Sequence, residues 1–297
     1  GAPQFDRIEN QHYMPAFREA IEEGKSEIDA IVNNPEAATF TNTIEALEYA
    51  GNTLNHISRI FYNLLEADTN EEMQNIAEEL APLTTEFSMY ISLNEGLFKR
   101  IKSVYEQRNN LSLNQEELRL LEKTYESFAR NGANLSPEDK ETYSKYIEEL
   151  SLLSLQFSKN VLAATNGFTL NITEESDLAG LPDYVINQAA EAAKEKSMNG
   201  WLFNLTAPSY GPFMKFSEKR DLREKMYRQY NTRAFGGELD NSTTIKRIAE
   251  LRIKVANLLG YNNFAEYKTE RRMAKSPSDV NTFLDKLLKP ALPKAQQ

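Results

Sequence analysis

Phe168–Thr206 reads FTLNITEESDLAGLPDYVINQAAEAAKEKSMNGWLFNLT, and its two ends break the period that governs the rest of the chain. At one end Phe168, Leu170 and Ile172 alternate with Thr169, Asn171 and Thr173; at the other, Trp201, Phe203 and Leu205 alternate with Leu202, Asn204 and Thr206. Period-two alternation puts one set of side chains on a buried face and the other on a wet one, as a half-buried strand requires. Between them, Pro182 to about Lys196 has helical composition and spacing. The stretch therefore predicts a small antiparallel sheet over about 167–173 and 201–206, set into a mainly α body of long helices.

Helical signals run outward on both sides. Pro15 stands at a first helical turn, ahead of Phe17, Ile21, Ile28 and Val32 at helical spacing. Asn42 with Glu45 reads as an N-cap pair for one long helix carrying Ile44, Leu47, Leu54, Ile57, Phe61 and Leu64 on a single face. Thr69 with Glu72 repeats the pattern ahead of Met73, Ile76 and Leu80. A further helix runs through NQEELRLLEKTYESFARNG and stops at Gly132. Ser-Pro-x-Asp stretches at Ser136 and Ser276 cap two more, the first running to about Asn166. The segment near Asn241 continues as a helix to Gly260, and NNFAEYK forms a short one. With no longer repeat and no low-complexity linker, the chain reads as one continuous helical body. Val280, Phe283, Leu284, Leu287 and Leu288 form an apolar stripe on the last helix, wide enough to demand a partner.

Composition narrows the function. The chain has 297 residues, 40% hydrophobic and 26% charged, with a net charge of −10. An acidic surface argues against nucleic acid as a partner, because phosphate contacts need clustered Lys and Arg. There is no cysteine, hence no disulfide, thiolate metal site or thiol nucleophile. No apolar run reaches the roughly 18–20 residues of a membrane span. These features predict a soluble protein and leave cytoplasm and periplasm open. The chain opens with Gly1-Ala2-Pro3 and not Met, so either a leader has been removed or Gly1 is a cloning remnant.

The standard catalytic constellations are missing. The only histidines are His12, before a helix start, and His56, inside a periodic helix; neither has the His-Glu-x-x-His context that places two ligands one turn apart. There is no Gly-x-Ser-x-Gly elbow, no Gly-x-x-x-x-Gly-Lys loop and no Gly-x-Gly-x-x-Gly, and Gly236-Gly237 reads as a turn. One segment stands out chemically: TAPSYGPFMKFSEKRDLREKMYRQYNTR, Thr206–Arg233. Pro208 and Pro212 are expected to end the strand pairing, and Ser217 to start a basic helix. Asp221 with Lys225 and Glu224 with Arg228 are i,i+4 pairs, acid first, while Leu222, Met226 and Tyr230 form the buried stripe. Arg220, Arg223 and Arg228 are thus either part of a solvated charge ladder or an anion- or peptide-terminus site.

Four stretches in this order, FDRIENQHYMPAFREAI, NPEAATFTNTIEALEYAGNTL, LAGLPDYVINQAAEAAKEK with GWLFNLTAPSYGPFMKFSEKRDLREKMYRQYNTR, and IAELRIKVANLLGYNNFAEYKTERRMAKSPSDVNTFLDKL, resemble the M3 zinc metallopeptidases, the thimet oligopeptidase and peptidyl-dipeptidase group. Ala38 stands where that family usually has Pro. The match is to the N-terminal part of the family pattern, somewhat under half of a family chain, and leans toward the bacterial peptidyl-dipeptidase branch.

The resemblance implies a neurolysin-like N-terminal half, with residues 1–297 forming the helical region and the catalytic zinc domain absent from the chain. The family's His-Glu-x-x-His helix, downstream Glu ligand and substrate-binding Tyr and His have no counterpart here. It implies zinc in the full-length parent and none in this fragment, which alone would be inactive. The chain would form one wall of a channel for short peptides and pack against the missing C-terminal catalytic region. Arg220, Arg223 and Arg228 become substrate-channel candidates. The alternative is a standalone helical binding or scaffold protein.

Overall fold

A computed structural model describes residues 3–297. Gly1, and with it the question of a leader or a remnant, lies outside the described residues. The chain divides into two compact units, one of residues 1–152 with 249–297 and one of residues 153–248.

The first unit opens with α1 (Tyr13–Val32), α2 (Ala46–Tyr49), α3 (Asn52–Ala67), α4 (Glu71–Ser92), α5 (Glu95–Glu106) and α6 (Gln115–Phe128). Helix α7 (Pro137–Gly167) crosses into the second unit, which holds β1 (Thr169–Ile172), α8 (Asp183–Glu195), β2 (Trp201–Asn204), α9 (Ala207–Phe216) and α10 (Arg220–Asn231). Helix α11 (Ser242–Leu258) returns to the first unit, which ends with α12 (Phe264–Thr269) and α13 (Pro277–Gln296). The division falls inside α7 and α11, so no linker composition marks it and the sequence reads as one body.

In the first unit, α1 buries Phe17 and Ile28 completely, and Phe17 meets Phe61 of α3 edge-on at 5.7 Å. Ile28, Ile31 and Ile44 join Leu97, Ile101 and Val104 of α5 and Leu121 of α6 in one apolar cluster. The helix predicted from Asn42 differs in two ways. Thr39, not Asn42, is the cap: its hydroxyl accepts from Asn42 N at 3.1 Å, and Asn42 Oδ1 accepts from Thr39 N at 2.8 Å. The helix also breaks at Gly51, whose φ of +73° is open to a residue without Cβ; its N–H donates to Glu27 of α1 at 2.7 Å. Similarly Asn70, not Thr69, caps α4, accepting from Met73 N at 2.9 Å. Gly132 closes the α6 segment at φ +93°, and Ser136 and Ser276 cap α7 and α13 as the Ser-Pro-x-Asp pattern predicts.

The second unit contains the predicted sheet. Strands β1 and β2 pair antiparallel, with Thr169 opposite Asn204 and Ile172 opposite Trp201. Leu170, Ile172 and Phe203 are buried with Leu178, Val185, Phe213 and Met226. Gly200 enters β2 at φ +89°, where a Cβ would sit 2.1 Å from the Ile172 carbonyl oxygen, so the strands can approach only over a residue without a side chain.

The stretch after β2 is a correction. The prolines expected to end the sheet lie in helix α9, Pro208 at its second position and Pro212 in its interior. Pro208 needs no N–H partner in a first turn. Asn204 accepts from Thr206 N at 3.0 Å and from Thr206 Oγ1 at 2.6 Å, turning the chain straight into the helix. Ser217 does not start α10 either; it is buried, its Oγ accepts from Lys219 N at 3.2 Å, and the helix begins at Arg220.

Candidate functional site

Helix α10 is where the sequence concentrates its chemistry. Met226 is fully buried against the sheet cluster, flanked by half-buried Leu222 and Tyr230, as the apolar spacing predicts. This leaves the arginines at the helix surface. Asp221 in the first turn and Arg228 in the last both suit the helix dipole.

The three candidate arginines do not converge on one point. Arg220 is exposed at the first helical residue. Arg223 is half-buried and donates through Nη1 to the Ser217 carbonyl, tying α10 to the segment that leads into it. Arg228 pairs with Glu224 at 2.7 Å, its side chain 72% exposed. A pair that open contributes about 0–1 kcal/mol, so it is a surface ladder and not a held charge. Asp221 and Lys225 do not form the second expected ion pair among the described residues.

A residue that the spacing did not single out is more firmly placed. The Arg233 guanidinium lies 3.7 Å over the Tyr230 ring, which stacks on Tyr210 at 4.0 Å. Arg233 also donates to the Tyr230 carbonyl at 2.9 Å and to Thr165 Oγ1 at 3.0 Å. Burial, ahead of the neighbouring Tyr230, holds the Tyr210 phenol above its ordinary pKa. Nearby, buried Asn160 donates to buried Asn241 at 2.9 Å. These groups grip and orient, and pair no acid with a base at reaction distance. Tyr210, Tyr230 and Arg233 all lie in the segment that drew notice, but only the fold brings Tyr210 onto Tyr230.

Neither histidine is placed as a ligand. His12 Nδ1 accepts from Glu9 N at 3.1 Å in a local cap, and His56 is exposed on α3. Among the described residues no group of three or more His, Cys, Asp or Glu could hold a metal ion. The described residues do not fit a zinc site.

The model of peptidase family M3 matches residues 213–297, from the end of α9 to the last residue. The dipeptidyl carboxypeptidase of Salmonella typhimurium is 36% identical over 98% of this chain. The chain is homologous to M3 peptidases. The dipeptidyl carboxypeptidase of Escherichia coli is 35% identical over 99% of this chain, and oligopeptidase A of Haemophilus influenzae 32% identical over the whole of this chain. The chain spans under half of these relatives: 43% of the first and 44% of the other two. Among the described residues no helix is long and apolar enough to cross a membrane.

Proposed function

We propose that this chain is the N-terminal, non-catalytic region of a zinc-dependent peptidase cleaving short peptides, of dipeptidyl-carboxypeptidase or oligopeptidase type. In this reading it forms one wall of the substrate channel and contributes no metal ligand or reacting group. The carrying observation is that nearly the whole chain is similar, at 32–36% identity, to two kinds of M3 peptidase while covering less than half of their length. The uncovered apolar face of α13 supports it: Phe283, Leu284, Leu287 and Leu288 are 52–60% exposed, as the contact face for a further catalytic region would be.

The test compares chelator-sensitive peptide cleavage by residues 1–297 with cleavage by a longer product of the same reading frame. Activity is expected in the longer protein alone. Cleavage by the 297-residue chain would sink the reading, as would a natural stop after Gln297, which favours a scaffold. The basic face of α10 would line the channel in this reading. Alanine at Arg220, Arg223 and Arg228 in the longer protein is expected to raise KM for longer peptides, and unchanged kinetics across peptide lengths would remove the face from the channel.

A further inference from the structure

A second concentration of positive charge lies in the first unit, built by the turn after α6, by α11 and α12, and by the turn after α12. Arg252 Cζ and Lys268 Nζ each stand 5.3 Å from the centroid of Phe264. Lys268 is also 5.2 Å from the Tyr267 ring, and Arg130 Cζ is 5.0 Å from it. The two rings are 5.9 Å apart, so three cations interleave with two aromatic faces. Arg272 follows in the turn after α12, closed by its backbone N–H donating to the Thr269 carbonyl at 2.8 Å, and its charge acts on Lys268.

The bonds described for Glu270, Glu126 and Glu266 reach none of Arg252, Lys268 and Arg272. Glu270 pairs with Arg130 and accepts from Tyr261 Oη at 2.8 Å. Glu126 holds Lys123 at 2.5 Å and Arg271 at 3.7 Å. Glu266 accepts from the side chains of Asn262 and Asn263. Among the described residues no ion pair reaches Arg252, Lys268 or Arg272. Lys268 is accordingly held below its ordinary pKa, first by burial and then by the charges of Arg272, Arg252 and Arg130. In a chain of net charge −10, acids to neutralise such a cluster are plentiful, yet only Arg130 is paired, by Glu270.

From this geometry we infer that Arg252, Lys268 and Arg272 form a binding site for a compact, multiply charged oxyanion of the phosphate or pyrophosphate type. Two guanidinium forks and an ammonium suit a tetrahedral anion, whose several oxygens can accept from more than one of them at once. The Phe264 and Tyr267 rings hold the cations in place against their mutual repulsion. The site owes nothing to the proposed channel and stands or falls separately from it.

The test titrates the 297-residue chain with inorganic pyrophosphate, following Tm and calorimetric heat, against sodium chloride at matched ionic strength. The expected result is a saturable rise in Tm that chloride does not reproduce. Lys268→Gln with Arg272→Gln should weaken the apparent affinity at least about tenfold, one lost charge-assisted contact being enough for that. Lys145→Gln, which removes an exposed lysine on α7, should leave it unchanged. An equal rise with chloride, equal weakening by Lys145→Gln, or no weakening by the double variant would overturn the site. So would equally tight binding of tetraglutamate, which would make the patch a docking surface for acidic peptide.

Discussion

Helices α1 and α13 are each 20 residues long, lie in the same compact unit and carry an apolar stripe on one face. Their fates differ completely. Helix α1 buries Tyr13, Phe17, Ala20, Ile21, Gly24, Ile28 and Ile31. Helix α13 buries nothing, and five of its large apolar side chains are at least half exposed. An amphipathic pattern thus specifies a helix that needs a partner without specifying that the partner is present. For α1 the partners are α3, α4 and α5; for α13 no described element covers the stripe.

The comparison breaks most visibly at Phe17. Its side chain is fully buried between α1 and α3, so Phe17→Ala removes ring packing and leaves a cavity. Denaturant unfolding of the first unit should show a loss of about 3–5 kcal/mol. A loss below about 1 kcal/mol would mean that α1 is no better seated than α13.

Gly24 sharpens the contrast from the opposite side. A Cβ there would come within 2.6 Å of Phe87 Cζ of α4, so the two helices meet at a point with no room for a methyl group. Gly24→Ala should cost about 1–3 kcal/mol despite the better helix propensity of alanine. If the variant is instead more stable, the Phe87 ring yields easily and the packing of α1 is looser than its burial suggests.

How much of this was readable in advance follows from the range of each interaction. The Ser136 and Ser276 caps, the stop at Gly132 and the alternation of β1 are local, and the sequence predicts them correctly; β2 departs from its alternation, because Leu202, expected on the wet face, is buried beside Phe203. The start at Asn42 was misplaced because Thr39 and Asn42 bond reciprocally, and either could pass for the cap. Pro208 reads as a strand end because a proline ends a strand as readily as it opens a helix, and Asn204 and Thr206 make that choice; Pro212 then lies inside the helix so begun. The partners of the basic residues were only partly legible. Glu224 with Arg228 is a one-turn pair, whereas Arg130 donates to Tyr261 at 2.6 Å and to the Tyr267 carbonyl at 2.5 Å, more than a hundred residues onward. No spacing rule reaches that far.

The polar edge of α1 offers a smaller effect with a pH signature. Tyr90 of α4 donates its phenol hydrogen to Asp29 of α1, and that bond, with burial and the charge on Asp29, pushes the Tyr90 pKa up to about 12. An unfolded tyrosine ionises near pH 10. The neutral phenol is therefore favoured in the fold, and its stabilisation is whole below pH 10 and drains away as pH rises toward 12. Tyr90→Phe should cost about 0.5–1 kcal/mol at pH 9, with the gap to the parent narrowing through that window. Urea midpoints at half-unit steps from pH 9 to 11.5 read this directly. A gap that stays constant would show that the Tyr90–Asp29 bond does not anchor α1.

The smallest expected effect tests the other half of the comparison. Leu287 is 52% exposed on α13, so Leu287→Ala in the 297-residue chain should change stability by less than about 0.5 kcal/mol. The same substitution in the longer protein proposed above should cost about 2–5 kcal/mol, because a leucine then buried would leave a cavity. The contrast between the two backgrounds carries the information, since a surface leucine behaves alike in both. Equal, negligible effects would leave the stripe facing water and remove the support that α13 lends to the channel-wall reading. A large effect in the short chain would show that the stripe already has a partner there, such as a second copy, which a concentration-dependent sedimentation profile would reveal.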